Sequence, residues 1–317
     1  MVRPTGNPKA GPLAGPRERC VGAAALAVGL LVSGAAAFSP DASGEAPEAR
    51  GESLSRHYFE APGSGGDWTV QFEPSLWYAV PGGKVDMPGL ETARGEIDLI
   101  DLGVDNTGLR PSGEFIFRRG RWMGLVGGIY LEEENDTALN QTISVNGTSY
   151  DAGDRVESRL RFASGRLLGG YRIHSYQGGP TADGGYNFTS DFDLIAGARF
   201  THINWRVAGE DPGVSRDSIR ASRLFPEAIG GVRWTLGFIE QITIDTELTI
   251  GGMTTGDDDT AFSIDIIQGL AWDPHPNLGA QFGYRQLLIR HTDGKGDDRF
   301  RYDGAIAGLY AGVKVRF

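Results

Sequence analysis

The chain has 317 residues, with 30 Lys and Arg against 41 Asp and Glu, a formal net charge of −11, 48 glycines and one cysteine. The acidic balance argues against nucleic-acid binding, and a single cysteine excludes a disulfide framework. In chain order the first element is a leader. Arg3, Lys9, Arg17 and Arg19 precede the apolar run VGAAALAVGLLVSG and the small residues Ala35 and Ala37. A basic region, a short apolar region and a small-residue site make residues 1–37 a secretory signal peptide, with cleavage expected after Ala37. The apolar run falls short of the ~20 residues of a spanning helix, and Cys20 lies ahead of it rather than behind, where a lipoprotein would need it. Cleavage leaves 26 basic against 40 acidic residues, a net of −14, and no cysteine.

Residues 38–66 are rich in Pro, Gly, Ser and Glu without a period and are expected to be a disordered linker. From there, residues 67–317 alternate apolar and polar positions almost without pause, the period of a β-strand. In WTVQFEPSLWYAV, Trp68, Val70, Phe72, Leu76, Tyr78 and Val80 share one face. In QITIDTELTI, Ile242, Ile244, Leu248 and Ile250 oppose Thr243, Asp245, Glu247 and Thr249. Ten such runs are expected, near 68–80, 112–119, 121–132, 155–173, 191–205, 222–236, 239–253, 259–272, 277–290 and 302–317. The run LRFASGRLLGGYRI changes parity around Ser164–Arg166, which is read as a β-bulge. Short turns alternate with long polar connections at 81–111, 133–154 and 206–221, although 174–190 and 254–258 fit that alternation poorly.

An exported, Gly-rich, all-β chain is either a soluble sandwich or an antiparallel up-and-down transmembrane β-barrel of about ten strands. Aromatic placement favours the barrel. Trp68, Trp122, Phe192, Trp234, Trp272 and Phe317 fall at strand ends on the short-turn side, as an interfacial girdle requires. The polar face is then a lumen carrying Glu73, Glu114, Arg118, Glu157, Arg159, Arg161, Asp193, Arg199, Glu227, Arg233, Asp245, Glu247, Asp265 and Arg285. Lys314 and Arg316 lie on the same polar face. Ten strands ~4.8 Å apart and tilted ~45° give a circumference of roughly 68 Å and a backbone radius of roughly 11 Å. Inward side chains leave a bore of a few ångströms, which paired Arg and Glu can close.

The terminal YAGVKVRF, with Val313, Val315 and Phe317 on one face, resembles the assembly signal of bacterial outer-membrane proteins. WTVQFEPSLWYAV, EIDLIDLGVDNTGLRPSGEFIFRRGRWMGLVGGIYL, DFDLIAGARF and QFGYRQLLI are similar to segments of a poorly characterised group of outer-membrane β-barrels of Gram-negative bacteria. The resemblance implies this fold and an outer-membrane location. It implies no activity. A monomer in contact with outer-membrane lipid and lipopolysaccharide, inserted by the barrel assembly machinery, is expected. The alternation of short turns and long loops puts loops 81–111 and 133–154 outside and the linker in the periplasm. The function expected is structural, or a narrow passive pore, without cofactor or metal and without enzyme activity.

The alternative is a lipid-modifying enzyme of the outer leaflet, such as a lipid A deacylase or a phospholipase. His174 beside Ser175 is the candidate pair, against the plainer reading of two residues at a strand end. His57, His174, His202, His275 and His291 show no metal-ligand spacing. Asp257, Asp258, Asp259, Asp293, Asp297 and Asp298 gather in two connections and could share a cation with lipid phosphates, but solvated turns are the plainer reading.

Overall fold

The computed structural model describes residues 68–92, 95–178, 187–209, 217–238, 241–254, 256 and 259–317. The leader, the linker, Asp257 and Asp258 lie outside the described residues. Ten long strands form the wall: β1 (Thr69–Asp86), β4 (Gly108–Arg119), β5 (Trp122–Ala138), β8 (Arg155–Gln177), β9 (Phe188–Gly209), β10 (Ser218–Phe238), β11 (Ile242–Thr254), β12 (Thr260–His275), β13 (Leu278–Asp293) and β14 (Phe300–Arg316). Each pairs antiparallel with the next, and β14 returns to pair with β1 from Gln71↔Arg316 to Asp86↔Arg301. The sheet is a closed up-and-down barrel of ten strands. Closure gives the strands of the wall neighbours on both sides, so the barrel has no open edge.

The long connections are more than polar loops. Leu90–Thr92 (β2), Ile143–Val145 (β6) and Thr148–Tyr150 (β7) form a three-stranded sheet of their own. Asn146 and Gly147 make its hairpin turn with φ of 50° and 83°, the left-handed pair that a two-residue turn demands. Ile97–Asp98 (β3) pairs with the end of β1, and a 3₁₀ turn over Leu99–Leu102 follows it. Met87, Ile97, Leu99, Leu102, Val104, Leu139, Ile143 and Val145 are buried in one apolar cluster with residues from inside the barrel.

The parity change at Ser164–Arg166 is not a bulge. β8 keeps one register with β5 from Arg155 to Tyr171, and its only shift against β9 lies between Arg172 and His174. The side chains keep alternating; what changes is the medium on each side. At the loop end of β8, Val156, Leu160 and Phe162 point inward and are buried, while Glu157, Arg159 and Arg161 point outward. At the turn end Arg166 points inward, and Leu167 and Tyr171 are exposed outside. β9 repeats the inversion. Asp191, Asp193 and Arg199 point inward, followed by Ile203, Trp205 and Val207, while outward Phe192, Leu194 and Phe200 give way to His202, Asn204 and Arg206.

The barrel therefore has two halves. The turn-side half is apolar outside and charged inside. The loop-side half is polar outside and filled by an apolar core that includes Phe162, Trp205, Phe225, Phe300 and Tyr302. Burying each such side chain contributes about 1.5–3 kcal/mol.

Candidate functional site

The charged interior of the turn-side half is the densest chemistry in the molecule. Asp265, 1 % exposed, is its centre. Arg199 reaches its carboxylate at 2.7 Å, Arg285 at 2.7 and 3.1 Å, and Arg166 at 3.9 Å. Arg166 also pairs closely with Glu114 and Glu247, so it bridges β4 and β11 across the lumen. Arg233 stands 3.7 Å from both Asp245 and Glu247. Lys314 pairs with Asp245 at 2.9 Å and lies 3.9 Å from Glu73. Ser263 donates to Glu227 at 2.8 Å and accepts from Arg199 at 3.0 Å. Towards the turns, Arg118 pairs with Asp193 at 3.0 Å, Arg172 with Asp191 and Asp193 at 3.0 and 3.2 Å, and Arg316 with Asp273 at 3.0 Å.

Alternation explains this convergence. On a closed barrel every second side chain of all ten strands points at one axis, so residues distant in sequence meet across it. At the low dielectric of a buried site, a charge is tolerated only when it is paired and hydrogen-bonded. Asp265, Glu247, Asp245 and Asp193 each meet more than one cation.

Of the residues assigned to the lumen from sequence, Glu73, Glu114, Arg118, Asp193, Arg199, Glu227, Arg233, Asp245, Glu247, Asp265 and Arg285 lie inside the barrel. Glu157, Arg159 and Arg161 do not. They sit on the outer face of the loop-side half, because the strand keeps its register through Ser164. There Glu132 accepts from Arg159 at 2.9 and 2.5 Å, from Arg161 at 2.9 Å and from the Tyr130 hydroxyl at 2.6 Å. The Tyr130 hydroxyl and the two guanidinium groups hold the Glu132 carboxyl down at about 2. Arg166, Arg172, Asp191 and Asp273 also lie within this half and were not assigned to it from sequence.

A cavity of about 50 Å³ lies within this half, bounded by Glu73, Trp77, Glu114, Arg233, Glu247 and Arg285 among others. It has room for a few waters. Trp77 Nε1 and Arg233 Nε are buried on its wall without a protein partner, and water is the natural acceptor for both. Arg285 stacks its guanidinium over the Trp77 ring at 5.6 Å. Past Trp77 the interior is packed and mainly apolar, with Arg110 paired to Glu133 and His291 facing Glu227.

Trp68, Trp122, Phe192, Trp234 and Trp272 lie at the turn end, outward-facing, with Trp234 opposite Phe192 and Trp272 opposite Ile242. Val313, Val315 and Phe317 face outward from β14. The Phe317 N–H donates to the Val70 carbonyl at 2.9 Å, and its ring is 73 % exposed.

The pair proposed from sequence is not assembled: Ser175 donates to Asp191 at 2.6 Å, and exposed His174 is no partner of that hydroxyl. Two of the acids in the acidic connections have partners. Asp259 accepts from the Gly294 N–H at 2.9 Å, and Asp293 pairs with Arg223. Among the described residues no group of three or more His, Cys, Asp or Glu is placed to hold a metal. A different Ser–His contact is present: His202 Nε2 stands 3.0 Å from Ser222 Oγ on the outer face.

No family model matches the chain, and no curated protein does. Among solved structures it is similar to the outer membrane protease OmpT of Escherichia coli, at 8% identity and a TM-score of 0.44, over 78% of this chain and 97% of that one. It is also similar to Ail, the attachment invasion locus protein of Yersinia pestis, at 12% identity and a TM-score of 0.29, over 78% and 99% of the two chains. Neisserial surface protein A matches at 15% identity and a TM-score of 0.28, over 79% and 97%. No activity is carried over from any of them.

Proposed function

We propose that the chain is an integral outer-membrane β-barrel whose role is structural, and that its lumen is closed at rest. The observation that carries this is the inversion between the two halves. On the turn-side half Leu76, Phe115, Val126, Leu167, Leu194, Leu270, Phe282 and Leu309 stand exposed outside, over paired charges within. A soluble barrel would gain nothing from that arrangement, whereas hydrocarbon solvates such a belt. About 9–11 tilted residues cross a bilayer. β8, β9 and β10, at 23, 22 and 21 residues, extend well past it. The aromatic turn end then faces the periplasm and the long connections face outward, with the linker on the periplasmic side. Outer-membrane lipid and lipopolysaccharide are the surroundings, the exposed Phe317 edge is what the assembly machinery would read, and the barrel acts as a monomer.

Closure is supported by the apolar loop-side core, in which Trp205 is 0 % exposed and Phe162 1 %. A planar-bilayer recording of refolded protein tests it: no unitary conductance is expected, and steady conductance of the unmodified barrel would favour the narrow-pore function instead.

A second reading, a lipid-modifying enzyme of the outer leaflet, is favoured by one contact. Ser222 and His202 meet on the outer face just beyond exposed Phe200 and Leu224. A hydroxyl with an imidazole at hydrogen-bond distance is the core of a nucleophile–base pair. Among the described residues no acid or amide orients the other ring nitrogen, which places this reading second. Ester cleavage in lipid micelles that disappears in Ser222→Ala would move it first.

A further inference from the structure

The outer face of β8, β9 and β10 carries a feature that neither the lumen nor the belt explains. Arg159 lies directly opposite Arg206, and Arg206 directly opposite Arg220, so three arginines form a row across three neighbouring strands. One pair nearer the belt, Arg161, Asn204 and Ser222 form a second row. Below them come Leu167, Phe200 and Leu224, exposed on the same face. Like charges directly opposite one another on a sheet are destabilising. Glu132 and Glu134 neutralise only the β8 side, through Arg159 and Arg161. Among the described residues, Arg206 and Arg220 have no carboxylate within ion-pair distance.

The opposite wall shows that the fold can neutralise such a rim. There Arg290 pairs with Asp303 at 2.9 Å, Arg301 with Glu96 at 3.0 Å, and Arg299 with Asp86 at 2.5 Å. Those three arginines are paired, whereas among the described residues Arg206 and Arg220 are not.

We infer that this face is a binding site for phosphate groups of outer-leaflet lipids. The inference rests on the belt being lipid-facing. Guanidinium groups bind phosphate oxygens in pairs through a rigid fork of donors. Strands ~4.8 Å apart spread the row over about 10 Å, enough for two phosphates of one headgroup. Asn204 and Ser222 offer further hydrogen bonds beneath, and the acyl chains of such a lipid fall on Leu167, Phe200 and Leu224. A free phosphate ion shares the headgroup's chemistry but makes no use of those three apolar side chains.

The test uses the refolded full chain in dodecyl maltoside, with diphosphorylated lipid A as probe and native mass spectrometry as readout. The parent is expected to retain the lipid, and Arg206→Gln/Arg220→Gln to hold it at least tenfold more weakly. Arg206→Lys/Arg220→Lys should recover part of the loss, which separates charge from misfolding. Arg290→Gln/Arg301→Gln on the other wall should bind like the parent. Equal retention by Arg206→Gln/Arg220→Gln overturns the inference, as does an equal loss in the opposite-wall variant. Equal binding of lipid A stripped of its phosphates overturns it too. Displacement by an equal concentration of inorganic phosphate would make this a free-anion site and overturn the lipid assignment. Fractionation of the parent with outer membranes tests the location separately, so loss of lipid binding with fractionation intact sinks this inference alone.

Discussion

The two halves of the barrel are built from the same strands with the same alternation, yet they solve opposite problems. In the turn-side half the exterior is apolar, and the interior must carry whatever is left, so charge is packed against charge. In the loop-side half the exterior is polar and the interior is mainly hydrophobic, with the Arg110–Glu133 ion pair and buried His291 within it. Between Phe162 and Arg166 on β8, and between Arg199 and Ile203 on β9, the interior changes from one to the other within four residues. A strand's pattern thus records which solvent each face meets, not which face points in.

The sharpest way to break the comparison is to remove charge from the turn-side interior. Arg166→Ala leaves Glu114 and Glu247 short of their closest cation and is expected to cost about 3–5 kcal/mol, read by urea unfolding in micelles. Asp265→Ala, which strands Arg199 and Arg285, should match it. In the loop-side half the equivalent insult is a cavity: Phe162→Ala should cost about 3–5 kcal/mol. Outward truncations of the belt should cost far less. Leu167→Ala and Ile244→Ala are expected below about 1 kcal/mol, because lipid chains are as apolar as Leu and refill the space. A loss at Leu167 as large as that at Phe162 would erase the distinction between the halves.

The smallest effect sharpens the outer rim. The carboxyl of Glu132 is held at about 2 by Tyr130, Arg159 and Arg161, below its ordinary value near 4.5. Its contribution to stability is therefore complete above pH 4.5 and is lost as the pH falls towards 2. The difference in stability between parent and Glu132→Gln should be present at pH 7 and shrink by pH 2.5, measured by denaturant unfolding at each pH.

Much of the fold was legible because period-two alternation survives in every long strand, and the strand count follows from it. Runs such as Ile242 to Ile250 lie wholly within one half and read without ambiguity. β8 crosses from one half to the other, and the two crossings of medium and face look in sequence like a bulge. Glu157, Arg159 and Arg161 were assigned to the lumen for that reason. The apolar seal was invisible for another reason: Leu99, Leu102, Ile143 and Val145 sit in short, turn-rich segments that have no period to read. Meeting across an axis is equally silent in sequence, so Asp265 looked no different from Asp245 until ten strands closed around it.

The central claim, that the medium outside changes along β8 while the register does not, is tested by single cysteines. Cys20 replaced by Ser gives a background without native thiols. Cysteines placed one at a time at Glu157, Arg159, Arg161, Gly165, Leu167 and Gly169 are then exposed, in native membranes, to a membrane-impermeant maleimide. Labelling is expected at 157, 159 and 161 and none at 165, 167 and 169. Labelling at 167 with protection at 159, or uniform labelling along the strand, would contradict it.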